Sequence, residues 1–82
     1  MQVLVYRSTR REGAYILTDR GDTFDHIPDA LLTQLGQLEF AFEFDLTPDR
    51  SLARTDGATV LSHIEQQGFY LQMPEEQRDP PA

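Results

Sequence analysis

Apolar residues recur along this chain with two periods, and the periods divide it into elements. The longest alternation covers Leu38 to Leu46, where Leu38, Phe40, Phe42, Phe44 and Leu46 are spaced by Glu39, Ala41, Glu43 and Asp45. A period of two over that length predicts a strand with one buried and one wet face. On that pattern the three Phe side chains supply much of the core, and truncating Phe42 to Ala is expected to cost about 3–5 kcal/mol. Val3-Leu4-Val5-Tyr6 is apolar on both faces and predicts a central strand. Ser8 to Gly13 is polar and ends in Gly, which suits a hairpin loop, and Ala14 to Thr18 follows as an antiparallel partner strand. Asp19-Arg20-Gly21-Asp22 then carries turn chemistry.

Ile27, Leu31, Leu32 and Leu35 lie on one face of a helix. Pro28 suits its first turn, Asp29 favours its positive end, and Gly36 closes it. Thr47-Pro48-Asp49-Arg50 places Pro at the second position of a type I turn, and Ser51 to Arg54 reads as a short strand. Thr55 or Asp56 caps a second helix that runs to about Gln67, with Val60, Leu61 and Ile64 as its apolar stripe and Gly68 at its end. Phe69 to Met73 forms the last strand, stopped by Pro74. The order β-β-α-β-(β)-α-β predicts an α+β domain: a small single-layer, mainly antiparallel sheet with two helices packed on one face. That domain spans residues 1–74, and the acidic, Pro-containing residues 75–82 are expected to be a disordered tail.

Composition narrows the class. A chain of 82 residues holds one domain at most. It has no cysteine, which removes disulfides, thiolate metal sites and thiol nucleophiles together and points to the cytoplasm. The apolar run near Met1 is too short for a signal peptide, and no stretch approaches the roughly 18 residues of a membrane helix. The formal charge of −7 is unevenly spread, because four of the seven basic residues fall in the first twenty positions. The acidic remainder repels nucleic acid and anionic membranes at long range.

Few residues suggest chemistry. Asp22, Asp25, His26 and Asp29 form the best candidate for a metal cluster, but at a helix entrance such residues act first as cap and dipole partners. His63 sits mid-helix, and its neighbour Ser62 does not face it. Ser8 has no catalytic signature around it, and the five glycines lie singly, so no phosphate loop exists. Glu39 and Glu43 would stand about 13 Å apart along a strand, too far for paired-carboxylate hydrolysis. The stronger candidates are for binding. Arg7, Arg10 and Arg11 beside Tyr6 and Tyr15 could grip an anion or stack on bases. Tyr70 and Gln72 share one face of the last strand and could mark an interface.

Several of these residues carry a resemblance. Val5-Tyr6-Arg7-Ser8, Arg11, Tyr15, Asp22, Phe24, Ile27-Pro28, Leu32, Gly36 and finally Gln67-Gly68-Phe69-Tyr70-Leu71-Gln72-Met73-Pro74 resemble the YcgL domain family of gammaproteobacteria. The resemblance covers about Met1 to Pro74. It implies a compact α/β fold and brings no catalytic residues with it. The combined expectation is a non-catalytic module without cofactor or bound metal, whose partner is a protein. RNA binding through Arg7, Arg10 and Arg11 is the alternative, and a metal-dependent enzyme built on Asp22 to Asp29 is a third reading. No membrane contact is expected.

Overall fold

The computed structural model describes residues 1–21, 23–52 and 55–73. Strands β1 (Gln2–Ser8) and β2 (Tyr15–Thr18) form the middle of one antiparallel sheet, flanked by β3 (Leu38–Asp45) beside β1 and β4 (Phe69–Gln72) beside β2. The central placement follows from composition, since β1 and β2 bury side chains on both faces: Val3, Val5 and Tyr6 on one strand, Ile16, Leu17 and Thr18 on the other. Helices α1 (Asp29–Leu35) and α2 (Gly57–Gln67) complete the α+β fold. Of the short strand expected at Ser51–Arg54, Ser51 forms a bridge with Asp56, while Ala53 and Arg54 lie outside the described residues, as does the expected tail.

The helices do not share a face. Val60 and Ile64 of α2 pack with Val3, Val5, Leu17 and Leu46. Leu35 of α1 and Ile27 before it pack with Tyr6, Ala14, Ile16 and Phe69. Val5 and Tyr6 are adjacent in β1 and point to opposite faces, so α1 and α2 lie on opposite sides of the sheet. The expectation of one covered face came from the long strand alone. Two central strands that are apolar on both faces require cover on both, and one short helix supplies it on each side.

The second correction concerns the aromatic strand. Against β1, Tyr6 faces Phe40 but Val5 faces Phe42, so Ala41 is an extra residue in β3. Such a bulge lets the chain cross to the other face within an unbroken alternation of residue types. Phe40 therefore lies on the α1 side against Tyr6, ring centroids 5.7 Å apart, while Phe42 and Phe44 lie on the α2 side, 6.0 Å from one another. Phe40 and Phe42 are 54% and 53% exposed and are not core residues. The most closed part of the core is aliphatic, since Val3, Ile16, Ile27, Leu35, Leu46, Val60 and Ile64 are essentially closed to solvent, and Tyr6 and Phe69 are its buried aromatic members.

Buried hydroxyls tie the layers together. Ser8 Oγ donates to the Leu35 carbonyl at 2.5 Å and accepts from the Arg10 and Arg11 amides, fastening the hairpin loop to the end of α1. Thr18 Oγ1 donates to the Gly68 carbonyl at 2.8 Å. A hydroxyl has one proton, so His26 Nε2, 3.1 Å from the same oxygen, is the donor in that pair. Gly68 has φ 92 and ends α2 in the left-handed conformation, with the His26 ring against the place a Cβ would fill. At the other end of α2, Asp56 is the cap and accepts from the Thr59 amide at 2.8 Å.

Two predictions follow from this packing. Ile16→Ala, which opens a cavity in a closed core, should cost about 2–5 kcal/mol, whereas Phe42→Ala at its half-exposed position should cost about 1 kcal/mol. Thermal melts followed by circular dichroism distinguish them; equal losses would show that Phe42 is buried in solution. The Thr59 amide bond holds the Asp56 carboxyl below its ordinary value of 3.8. The folded value is the lower one, so the cap's contribution is complete above pH 3.8 and is lost as pH falls through the folded value. Asp56→Ala should lower the melting midpoint at neutral pH, and the gap from the parent protein should narrow in acid. A gap that persists unchanged at pH 2 would mean that the cap does not act through its charge.

Candidate functional site

The antiparallel register lines up residues from all four strands in rows across the α2 side. Glu39, Arg7, Tyr15 and Gln72 form one row. Phe42, Val5, Leu17 and Tyr70 form the next, and Phe44 stands beside Val3 beyond it. Helix α2 covers only part of this surface, through Val60 and Ile64. Tyr70 lies on the covered part, its ring edge-on to His63 of α2 at 5.2 Å.

The uncovered part is an open hollow of about 340 Å³. Val5, Leu17, Phe42 and Phe44 form its floor and one wall, Tyr15 and Gln72 lie at one end, and Arg50 and Leu52 close it from the loop before α2. The loop is placed by its turn. Arg50 donates its amide to the Thr47 carbonyl at 3.2 Å, and its own carbonyl accepts from the Gly57 amide at 2.7 Å. Gly57 is required there, since a Cβ would collide with the Thr47 carbonyl. The folded-back turn carries the Arg50 guanidinium over the Phe44 ring, 5.2 Å from its centroid. Hydrogen bonding to Thr47 also holds the Asp49 carboxyl below its ordinary value.

The residues singled out by sequence divide between this surface and other places. Arg7, Tyr15 and Gln72 come together in one row, but Arg7 is engaged there, with Nε and Nη2 both 3.0 Å from Glu39 Oε1. Tyr6 is on the opposite face, buried edge-on against Phe24 at 5.1 Å. Arg10 also turns to the α1 side, where Nη1 donates to the Thr33 carbonyl at 2.9 Å. Arg11 donates its amide to Ser8 Oγ in the hairpin loop. The three arginines do not converge on one anion site, because alternation along β1 and the hairpin turn send Arg7 and Arg10 to different faces. Sequence reasoning missed Phe40 and Phe42 as surface residues and Arg50 as more than a turn residue, while Phe44 is half-buried against the core as its pattern predicts. Only the Thr47–Arg50 turn could have placed Arg50 back over β3.

The candidates for chemistry are occupied in the structure. Ser8 and His26 make the bonds described above, and His63 Nδ1 donates to the Thr59 carbonyl at 2.8 Å. Asp25 is exposed, Asp29 opens α1, and Asp22 lies outside the described residues. Among the described residues no three His, Cys, Asp or Glu side chains gather as a metal site. No helix among them is long and apolar enough to cross a membrane.

The model of the YcgL domain matches residues 3–75. A YcgL domain-containing protein of Thioalkalivibrio sulfidiphilus is 45% identical over 80 residues, covering 98% of this chain and 99% of its own. One from Stutzerimonas stutzeri is 46% identical over 70 residues, covering 85% of this chain and 72% of its own. One from Saccharophagus degradans is 42% identical over 74 residues, covering 90% and 81%. With a match that runs from β1 to the end of β4 and takes in both helices, the chain belongs to the YcgL domain family.

Proposed function

We propose that this protein is a non-catalytic interaction module of the cytoplasm, and that its partner is a protein that adds an extended segment to the free edge of β3. The observation that carries this reading is the exposure of Phe40 and Phe42, one on each face of an eight-residue edge strand. Edge strands are ordinarily guarded by charge. Here the three acids of β3 are drawn back toward β1: Glu39 to Arg7, Glu43 to Gln2 at 3.0 Å, and Asp45 to the Met1 ammonium at 3.3 Å. A strand laid along β3 would gain backbone hydrogen bonds and cover an aromatic ring on each side. The engagement of Arg7 and Arg10 leaves the hairpin with fewer free donors for a phosphate backbone than its composition suggests.

The test is capture from native lysate, with and without nuclease, using the parent protein and Phe40→Ser. Phe40 lies outside the hollow on the α2 side, so its loss reports on the edge. A protein retained after nuclease at near-equal stoichiometry, and bound about 30-fold more weakly by the variant, is the expected result. Equal capture by the variant would overturn the β3 contact. Capture abolished by nuclease, with affinity falling by a slope near −0.7 per phosphate in log salt, would replace the protein partner with RNA.

A further inference from the structure

We infer that the hollow on the α2 side is a binding site for a small apolar carboxylate, its hydrocarbon body against Leu17, Phe42 and Phe44 and its carboxylate on Arg50. This goes beyond the β3 contact and stands without it. The hollow's 340 Å³ falls at the small end of the roughly 300–1,000 Å³ spanned by small-molecule pockets. Its lining is mainly aliphatic and aromatic, with Arg50, Gln72 and the Tyr15 hydroxyl as its few polar groups, which is the usual division between a site's affinity and its orientation of a ligand.

The charge at the rim selects the head group. Among the described residues Arg50 has no carboxylate partner, although the chain carries a net charge of −7. Among the described residues its guanidinium makes one long hydrogen bond, from Nη1 to the Asp45 carbonyl at 3.4 Å. Stacking on Phe44 and the two backbone bonds of its turn fix where the guanidinium stands. A planar fork with unspent donors matches a carboxylate. The other arginine on this face, Arg7, is neutralised by Glu39, so the site offers one net positive charge. In an acidic protein a single cation favours a monoanion over a phosphate monoester, whose second charge would meet repulsion without a second partner.

The test uses the purified full chain, labelled with ¹⁵N, titrated with octanoate, octan-1-ol and acetate. Octanoate should shift the amides of Val5, Leu17, Phe42, Phe44 and Leu52 together and saturably. Octan-1-ol, with the same body and no charge, should bind about tenfold more weakly, the size of one charge-assisted hydrogen-bond contribution. Acetate should leave those amides unmoved. Arg50→Gln, at an exposed position, should keep the dispersed spectrum, lose about tenfold in octanoate affinity and leave octan-1-ol unchanged. Absence of saturable shifts with octanoate, equal affinity for acid and alcohol, or an Arg50→Gln affinity equal to the parent's would each overturn the assignment. The titration involves no partner protein, so its failure leaves the β3 contact untouched.

Discussion

Between Val5 and Tyr6 of β1, the neighbouring strand β3 passes three residues, Phe40 to Phe42, where two would keep the register. The ladder absorbs the extra residue as a bulge at Ala41, and every side chain beyond it exchanges faces. Without it, Phe40 would stand with Phe42 and Phe44 on one side of the sheet. With it, Tyr6 gains an aromatic neighbour on the α1 side and the α2 side keeps a pair of rings at the border of the hollow. The sheet order leaves β3 at the edge, and that single insertion decides which face each of its rings occupies.

The remaining architecture answers a different demand. β1 and β2 are apolar on both faces, and each helix is too short to enclose its side completely. The result is two clusters separated by the sheet, one aliphatic and one that adds Tyr6 and Phe69 to its aliphatic residues. Small domains bury a limited fraction of their surface, so incomplete cover is expected at this size. On the α1 side the segment from Phe24 to Ile27 supplements the helix, and on the α2 side the gap stays open beside Arg50.

Much of the fold was legible because local chemistry and period agreed. Asp56 before Gly57, Gly68 after Gln67, and the central character of Val3 to Tyr6 were all written in residue types that have one comfortable position. The bulge was not legible. Leu38 to Leu46 alternates without a fault, and the extra residue, an ordinary Ala, is visible only against the register of a strand over thirty positions away in sequence. The division of the helices between faces was written in the two-faced apolar run of Val3 to Tyr6, which the single wet-faced strand outweighed. The candidate site was half legible. Arg7, Tyr15 and Gln72 share a row as their chemistry suggests, while Phe42 belongs to the surface against its alternating pattern and Arg50 is more than the turn residue its position implies.

The two clusters share no buried side chain, yet they are fastened at one corner. Thr18 ends β2, His26 belongs to the segment leading into α1, and the Gly68 carbonyl is the last turn of α2. One hydroxyl therefore joins groups on both sides of the sheet. Detaching the α1-side segment would strip Thr18 of its His26 donor and unseat the ring packed on Gly68. The end of α2 would loosen with it. Two layers that could have frayed as separate units are made into a single cooperative one, and their opening free energies are linked through a threonine that touches no ligand surface.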